Sequence, residues 1–547
     1  MERPNRLLLS VGLAASCAAL AATAIPGTTP PASSKNPSST HPATALPAAR
    51  TASPPAAPAP TAPNTANAPS PSAAVPLYGD PVKGSYSAVV PWPLIGIHAV
   101  LTPDGRVLSY GSDRNGIQTG KFVYDIWDPL LGTGPLSHNT LPNRTSVDVF
   151  CGAQLIVPGT GNIQLFGGDI TSAAGQSTNN PNADTTLYRS LDDSLSKTGS
   201  MHRKRWYATA TALANGEIYV QGGTGGKDRP EVRQRNGAYR LLSGADTSSV
   251  FEYYPRNFLA PDGQVFGFNN QVMYRIKTAG AGAFQRVGTF PGPNIGWTSS
   301  AVMIAPTRIL QVGGGNLQAA SSQAHVIDIA ATVPRVEQVA SMTYPRHWHN
   351  ATVLADGRVL VSGGSQVANK AVNVAYASEI YDPAQKRWTQ AAKAQRMRLY
   401  HSTALLLPDA TVLTMAGGAA GSAPVNNLDA EIYYPPYLFL PNGKRAPRPV
   451  IASAPLNVQA GATISIGTPN AGSIKRVALV KTGSVTHSFD MDQRYLDLPF
   501  TVAGRTLTAA LPHNKAHTPP GSYLLFVINS VGTPSHADIL RIESPAS

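Results

Sequence analysis

Cysteine is nearly absent, with only Cys17 and Cys151 in 547 residues. A fold held by a framework of disulfides is therefore excluded. Charge is scarce as well, at 13% of residues, while Gly and Pro number 49 and 48. That balance argues against long charged helices and for a turn-rich β protein. Beyond the N-terminus no apolar run approaches the roughly 20 residues of a membrane-spanning helix. Acidic residues are the minority, 30 against 43 Lys and Arg, which leaves a net charge of +13. The basic residues are scattered, and only His202-Arg203-Lys204-Arg205 forms a cluster. The continuous stripe that tracks nucleic-acid phosphates is missing, so no nucleic-acid partner is expected. A diffuse positive surface suits acidic envelope polymers instead.

The first 24 residues run from a basic start (Arg3, Arg6) through an apolar stretch to Ala22-Thr23-Ala24. This is the pattern of a secretory signal peptide with a small-residue cleavage site. Leu13-Ala14-Ala15-Ser16 before Cys17 loosely resembles a bacterial lipobox with its leucine one place too far away, and lipid attachment at Cys17 is the less favoured reading. Residues 25–78 are dominated by Pro, Ala, Ser and Thr. Such a composition buries too little apolar surface to offset the entropy of ordering, so a disordered, extended tether is expected. A secreted or envelope-associated protein, monomeric, follows from these features. With the leader removed, Cys151 is the sole cysteine, and its thiol is buried and inert, paired with another chain, or chemically used.

Self-similarity sets the architecture. A short apolar strand, a polar turn such as Asp-Gly or Asn-Gly, and a second strand ending at Gly-Gly recur along the chain. The clearest copies run from Tyr207 through Asn215-Gly216 to Gly222-Gly223, and from His349 through Asp356-Gly357 to Gly363-Gly364. Weaker copies begin near His98, Cys151, Arg256, Trp297 and His401, making seven in all. Their spacing, roughly 40 to 56 residues, is that of four-stranded propeller blades. The expected fold is all-β: a seven-bladed kelch-type propeller over residues 79–445. Residues 446–547 lose the Gly-Gly endings and show short alternating strands, such as Tyr523-Leu524-Leu525-Phe526-Val527-Ile528, as in a small immunoglobulin-like sandwich.

A propeller alone leaves function open. Four separated segments carry the chemistry: Val149-Phe150-Cys151-Gly152, Arg205-Trp206-Tyr207-Ala208, Leu399-Tyr400-His401-Ser402 and Val485-Thr486-His487-Ser488. In this order, across roughly residues 80–545, they resemble the metal-site motifs of the galactose oxidase and glyoxal oxidase family of copper-radical oxidases. The resemblance implies one copper ion held by Tyr207, Tyr400, His401 and His487, with Tyr400 axial. It also implies a Cys151–Tyr207 thioether that stores a radical, and a ping-pong oxidation of a small aldehyde or alcohol with dioxygen reduced to hydrogen peroxide. There Tyr400 takes the substrate proton and Tyr207 the hydrogen atom. Independently, two imidazoles and a phenolate meet copper(II)'s preference for tetragonal nitrogen and oxygen donors.

The sequence also departs from that pattern. Galactose oxidase has a radical-stacking tryptophan after a Gly-Gly, where this chain has Thr224 after Gly222-Gly223. Trp206 and Trp297 are the candidate substitutes, and the Arg-Trp-Tyr-Ala-Thr context of Trp206 resembles the glyoxal oxidase branch. Arg346, in Tyr344-Pro345-Arg346-His347-Trp348-His349, aligns with a substrate-facing arginine whose fork of donors would bind hydroxyl or carboxylate groups. Two competing functions remain. One is a non-catalytic carbohydrate-binding or wall-docking propeller; the other is a copper-binding scaffold that never forms its radical.

Overall fold

The computed structural model describes residues 76–544, apart from 293–294 and 421–422. The signal peptide, the lipobox-like Cys17 and all but the last residues of the tether lie outside the described residues. The described chain is built of strands joined by turns, with only single-turn 3-10 segments as helix. No described helix is long and apolar enough to cross a membrane.

Seven four-stranded antiparallel units follow one another. Their first strands are His98–Leu101, Ala153–Ile156, Trp206–Ala212, Arg256–Leu259, Ser300–Ala305, Asn350–Val353 and Ser402–Leu406. All seven are almost wholly buried, whereas fourth strands such as Ala283–Thr289 and Arg387–Lys393 are largely exposed. The seventh unit borrows its outer strand from the chain start, where Ser85–Tyr86 pairs with Asp429–Tyr434.

The Gly-Gly endings have a specific task. The second glycine's N–H donates to a backbone carbonyl just ahead of the next unit's first strand: Gly168 to Arg205 (2.9 Å), Gly223 to Glu252 (2.8 Å), Gly314 to Arg346 (2.9 Å) and Gly364 to Arg398 (2.7 Å). At Gly363, with φ +71°, an added Cβ would collide with that same Arg398 carbonyl. The motif is therefore a clamp between neighbouring units, and only glycine fits it.

Beyond the seventh unit, Thr463–Gly467, Phe500–Ala503 and Thr506–Ala510 form one sheet, which packs on a second built from Ile474–Lys481, Phe489–Leu498, Gly521–Asn529 and Asp538–Ile542. Ile464, Leu479, Leu507, Val527 and Leu540 lie in the shared core. From this sandwich a hairpin of Ser484–Thr486 and the start of Phe489–Leu498 projects among the first strands of the units. Thr486 pairs with His98 of the first unit, and Phe489 pairs in parallel with Ala301 of the fifth. Gln154 of the second donates to the Val485 carbonyl at 3.1 Å, and Val353 of the sixth donates to Gln493 at 2.8 Å. Met491 meets Ala210 of the third, Phe489 meets Phe258 of the fourth, and Ser402–Leu406 of the seventh lies against Ser484–Thr486. Each of the seven units thus touches one hairpin. At its tip sits His487.

Candidate metal centre

The residues singled out by sequence sit just before or at the beginning of first strands, and their backbones share an unusual conformation. Cys151, Tyr207 and His401 have φ of 54°, 74° and 70°, and His487 at the hairpin tip has 46°. Left-handed backbone is rare for residues with a Cβ and concentrates at functional sites. Here it resolves a difficulty posed by Tyr400 and His401. Adjacent residues in a regular strand face opposite ways; the left-handed turn at His401 stacks its ring on Tyr400 at 3.7 Å, so both reach one place. Tyr254 and Trp348, with φ of 42° and 55°, stand two residues before Arg256–Leu259 and Asn350–Val353, as Cys151 does before Ala153–Ile156. Sequence reading missed both. Their position within the repeat is the signal that could have found them.

The convergence is tight. Cys151 Sγ lies 3.7 Å from His401 Nε2 and 3.4 Å from His487 Nε2, and all three residues are buried. The Tyr207 and Tyr400 hydroxyls meet in a short hydrogen bond. The Tyr207 ring lies 4.9 Å from that of His487. The Tyr207 N–H donates to the Cys151 carbonyl at 2.7 Å, which fastens these two segments side by side. Behind them Tyr254 stacks on His487 at 4.4 Å and donates its hydroxyl to the Gly152 carbonyl at 3.1 Å.

Both imidazoles are oriented from outside the cluster. His401 Nδ1 lies 2.5 Å from the Gly418 carbonyl. A carbonyl only accepts, so Nδ1 carries the proton and Nε2 presents its lone pair inward. His487 Nδ1 is held at 2.6 Å by Thr486 Oγ1, which leaves Nε2 facing Cys151. Burial pushes His401 down to about 3 and His487 well below its usual value, the latter also through His401, His98 and Arg256. Both rings are neutral and fit to bind a cation. Burial raises Tyr207 well above the usual phenol range, with Cys151 and Tyr400 adding to it. Two phenols held together beside neutral imidazoles form a donor set that a soft-to-borderline divalent cation would complete, since its charge stabilises a phenolate. His401, His487, Tyr207 and Tyr400 could hold such an ion.

Trp206 meets the Tyr207 ring edge-on at 4.3 Å, and Trp297 lies farther away at 6.4 Å. Neither lies flat on the Tyr207 ring. Tyr253, which sequence reading also passed over, is tilted against it at 5.0 Å.

Arg346 requires a correction. It is 0% exposed, and its guanidinium donates to the carbonyls of Gly363 (2.7 Å) and Ala377 (2.6 Å) and to Glu379 (2.9 Å). Its own carbonyl is the acceptor for the Gly314 clamp. Arg205 with Glu231 and Arg398 with Glu431 repeat the arrangement in the third and seventh units. Arg346 is a rivet within and between units, and its complete burial keeps the guanidinium from a substrate; the local sequence match concealed that the same arginine recurs in the repeat.

Residues 137–438, more than half of the chain, match the family described as glyoxal oxidase N-terminus. Residues 448–542 match the galactose oxidase-like early set domain. The chain belongs to the galactose oxidase and glyoxal oxidase family of copper-radical oxidases. Within it, the chain is 28% identical over 508 residues to a galactose oxidase of Gibberella zeae, covering 84% of this chain and 71% of that protein. It is also 28% identical over 520 residues to the aldehyde oxidase GLOX of Vitis pseudoreticulata, covering 83% and 96% respectively. A solved structure, described as a novel fungal alcohol oxidase with catalytic diversity among the AA5 family, in complex with copper, superposes with a TM-score of 0.75. That likeness covers 84% of this chain and 99% of the other at 24% identity, and it bears on the fold alone.

Proposed function

We propose that this chain is a secreted copper-radical oxidase that converts small aldehydes or primary alcohols with reduction of dioxygen to hydrogen peroxide. The observation that carries the proposal is the convergence of His401 Nε2, His487 Nε2 and Cys151 Sγ where the Tyr207 and Tyr400 hydroxyls meet. Copper would be held by the two imidazoles and two phenol oxygens, and it would supply one of the two redox equivalents that alcohol oxidation needs, a Cys151–Tyr207 thioether radical supplying the other.

The protein's own groups do the rest. Gly418 and Thr486 fix the imidazoles by their outer nitrogens. Tyr400 is half-buried while Cys151, His401 and His487 are buried, so a substrate would approach past its ring and its oxygen would receive the hydroxyl proton. Burial of Cys151 and Tyr207 keeps water and stray thiols from the cross-link. The seven units are read as blades of one propeller, with residues 446–547 supplying the hairpin that brings His487 to its axis. Export by a signal peptide over residues 1–24, with residues 25–78 as a tether, suits a monomeric enzyme working at an envelope rich in acidic polymers. A non-catalytic carbohydrate-binding propeller would not need its sole mature cysteine between two imidazoles.

Mass spectrometry of copper-loaded, air-exposed protein tests this reading. Thioether formation removes the thiol hydrogen of Cys151 and one ring hydrogen of Tyr207, so the joined peptide is about two hydrogens lighter than its parts and disappears in Cys151→Ser. Bound copper with Cys151 still a thiol would leave only the metal-binding scaffold.

A further inference from the structure

On the half-buried side of the Tyr207 ring stands a wall of touching rings. Phe251 lies 5.1 Å from Tyr253 and 5.8 Å from Trp297, Tyr253 lies 5.5 Å from Trp297, and Trp297 lies 4.7 Å from Trp348. Trp206 completes it, 6.4 Å from Tyr253 and edge-on to Tyr207. Trp206, Phe251, Tyr253 and Trp297 are all half-buried, so the wall runs from the Tyr207 ring out to solvent.

Charge is kept out of this wall. Among the described residues, no lysine or arginine lies over any of its five rings. Glu252, between Phe251 and Tyr253, is paired with Lys227 at 3.5 Å. Arg256 is buried behind the wall with its guanidinium on the backbone carbonyls of Trp297 (2.9 Å) and Ser299 (2.6 Å). Arg346 is committed to its own unit. Both guanidiniums are buried, so neither is offered to a sugar's hydroxyls or a carboxylate. Rings without charge favour a flat apolar group, whose face or edge they match.

We propose that the preferred substrates carry an aromatic ring on the carbon to be oxidised: aryl-methyl alcohols and the hydrates of aromatic aldehydes. The inference rests on the oxidase reading and narrows it. The aryl ring lies on the Phe251, Tyr253 and Trp297 wall, which directs the CH2OH group toward Tyr400. The CH2OH group loses one hydrogen from its carbon and one from its oxygen on becoming the aldehyde, and dioxygen takes up the two electrons and two protons as hydrogen peroxide.

Binding and turnover separate the two levels of the proposal. Benzyl alcohol, glycerol and galactose are titrated into copper-free protein and followed by tryptophan fluorescence, then compared as substrates of the copper-loaded enzyme by peroxide release. Benzyl alcohol is expected to bind at least tenfold more tightly than either polyol and to show the higher kcat/KM. Phe251→Ser should lower its kcat/KM about tenfold or more relative to glycerol, the scale set by losing apolar contact in a pocket. Phe251→Leu, which keeps the volume without the ring, should fall between. Equal or tighter binding of galactose or glycerol, or a Phe251→Ser enzyme with unaltered preference, overturns the aryl assignment while peroxide release keeps the oxidase reading. Tight benzyl alcohol binding without peroxide from any substrate sustains the wall's preference and removes the oxidase reading.

Discussion

Replacing Arg346 with methionine should damage folding and leave substrate recognition alone. The guanidinium is fully buried and donates to two carbonyls and to Glu379, whose other oxygen accepts the Thr343 N–H at 2.6 Å. Methionine fills the volume but leaves the Glu379 carboxylate charged in the interior, together with two unsatisfied carbonyls. Breaking one half of a buried ion pair costs about 3–5 kcal/mol. Urea unfolding should show that loss as a lower midpoint, with KM for every substrate unchanged in the fraction that folds. The double variant Arg346→Met/Glu379→Leu should recover part of it, because the stranded charge is gone. A variant that unfolds like the parent but shows a raised KM would refute the rivet assignment and restore a substrate-facing role.

Further outcomes follow from the same geometry. Thr486→Val frees His487 Nδ1 and should weaken copper binding about 10- to 100-fold in a chelator competition, with little change in fold. Ending the chain at residue 445 removes the hairpin that every unit touches, and should abolish copper binding and yield an aggregating protein. Burial raises the Asp490 carboxyl to about 6, against N–H donation from Ser484, Asp492 and Gln493. A raised carboxyl means that the folded state holds the proton more tightly than the unfolded chain, so Asp490 costs stability above pH 6 and the cost fades as pH falls toward 4. Asp490→Asn keeps the accepting oxygen and should exceed the parent in stability at pH 8, by at most on the order of 3 kcal/mol, with the advantage vanishing near pH 4.

The order of elements was legible because the repeat is written in local chemistry. Asp-Gly turns and Gly-Gly endings need glycine's backbone whatever surrounds them, so they mark units directly in the sequence. The five metal-site residues were legible for another reason: Cys151, Tyr207, Tyr400, His401 and His487 lie in short motifs of a known family. Arg346 was misread because burial is not a local property. The same residue type beside a clamp becomes a rivet or a substrate contact according to whether a third-strand glutamate faces it, and Glu379 lies far along the chain. The ring wall escaped notice because Phe251 and Tyr253 lead into the fourth unit and Trp297 into the fifth, so they form a surface only when those units stand side by side.

One feature of the backbone ties fold to chemistry. Left-handed residues with a Cβ cost of order 1 kcal/mol or more each, yet Cys151, Tyr207, Tyr254, Trp348 and His401 all adopt that form near the start of a first strand. Such strain persists only where surrounding bonds over-determine it, and here they do. The N–H of Tyr207 is tied to the Cys151 carbonyl and that of Tyr254 to the Tyr207 carbonyl, at 2.7 and 2.8 Å, so the first three hold one another in series. The glycine clamps fix Arg205 and Arg398 shortly ahead of Tyr207 and His401. The hairpin then fills the centre and adds His487 at its own left-handed tip. The seven-unit scaffold thus turns these side chains inward and gathers the donor set in one place. Relieving the strain at one position, as with Tyr254→Gly, would remove a packing ring and the hydroxyl on Gly152 together, so its effect on copper affinity should exceed its effect on stability.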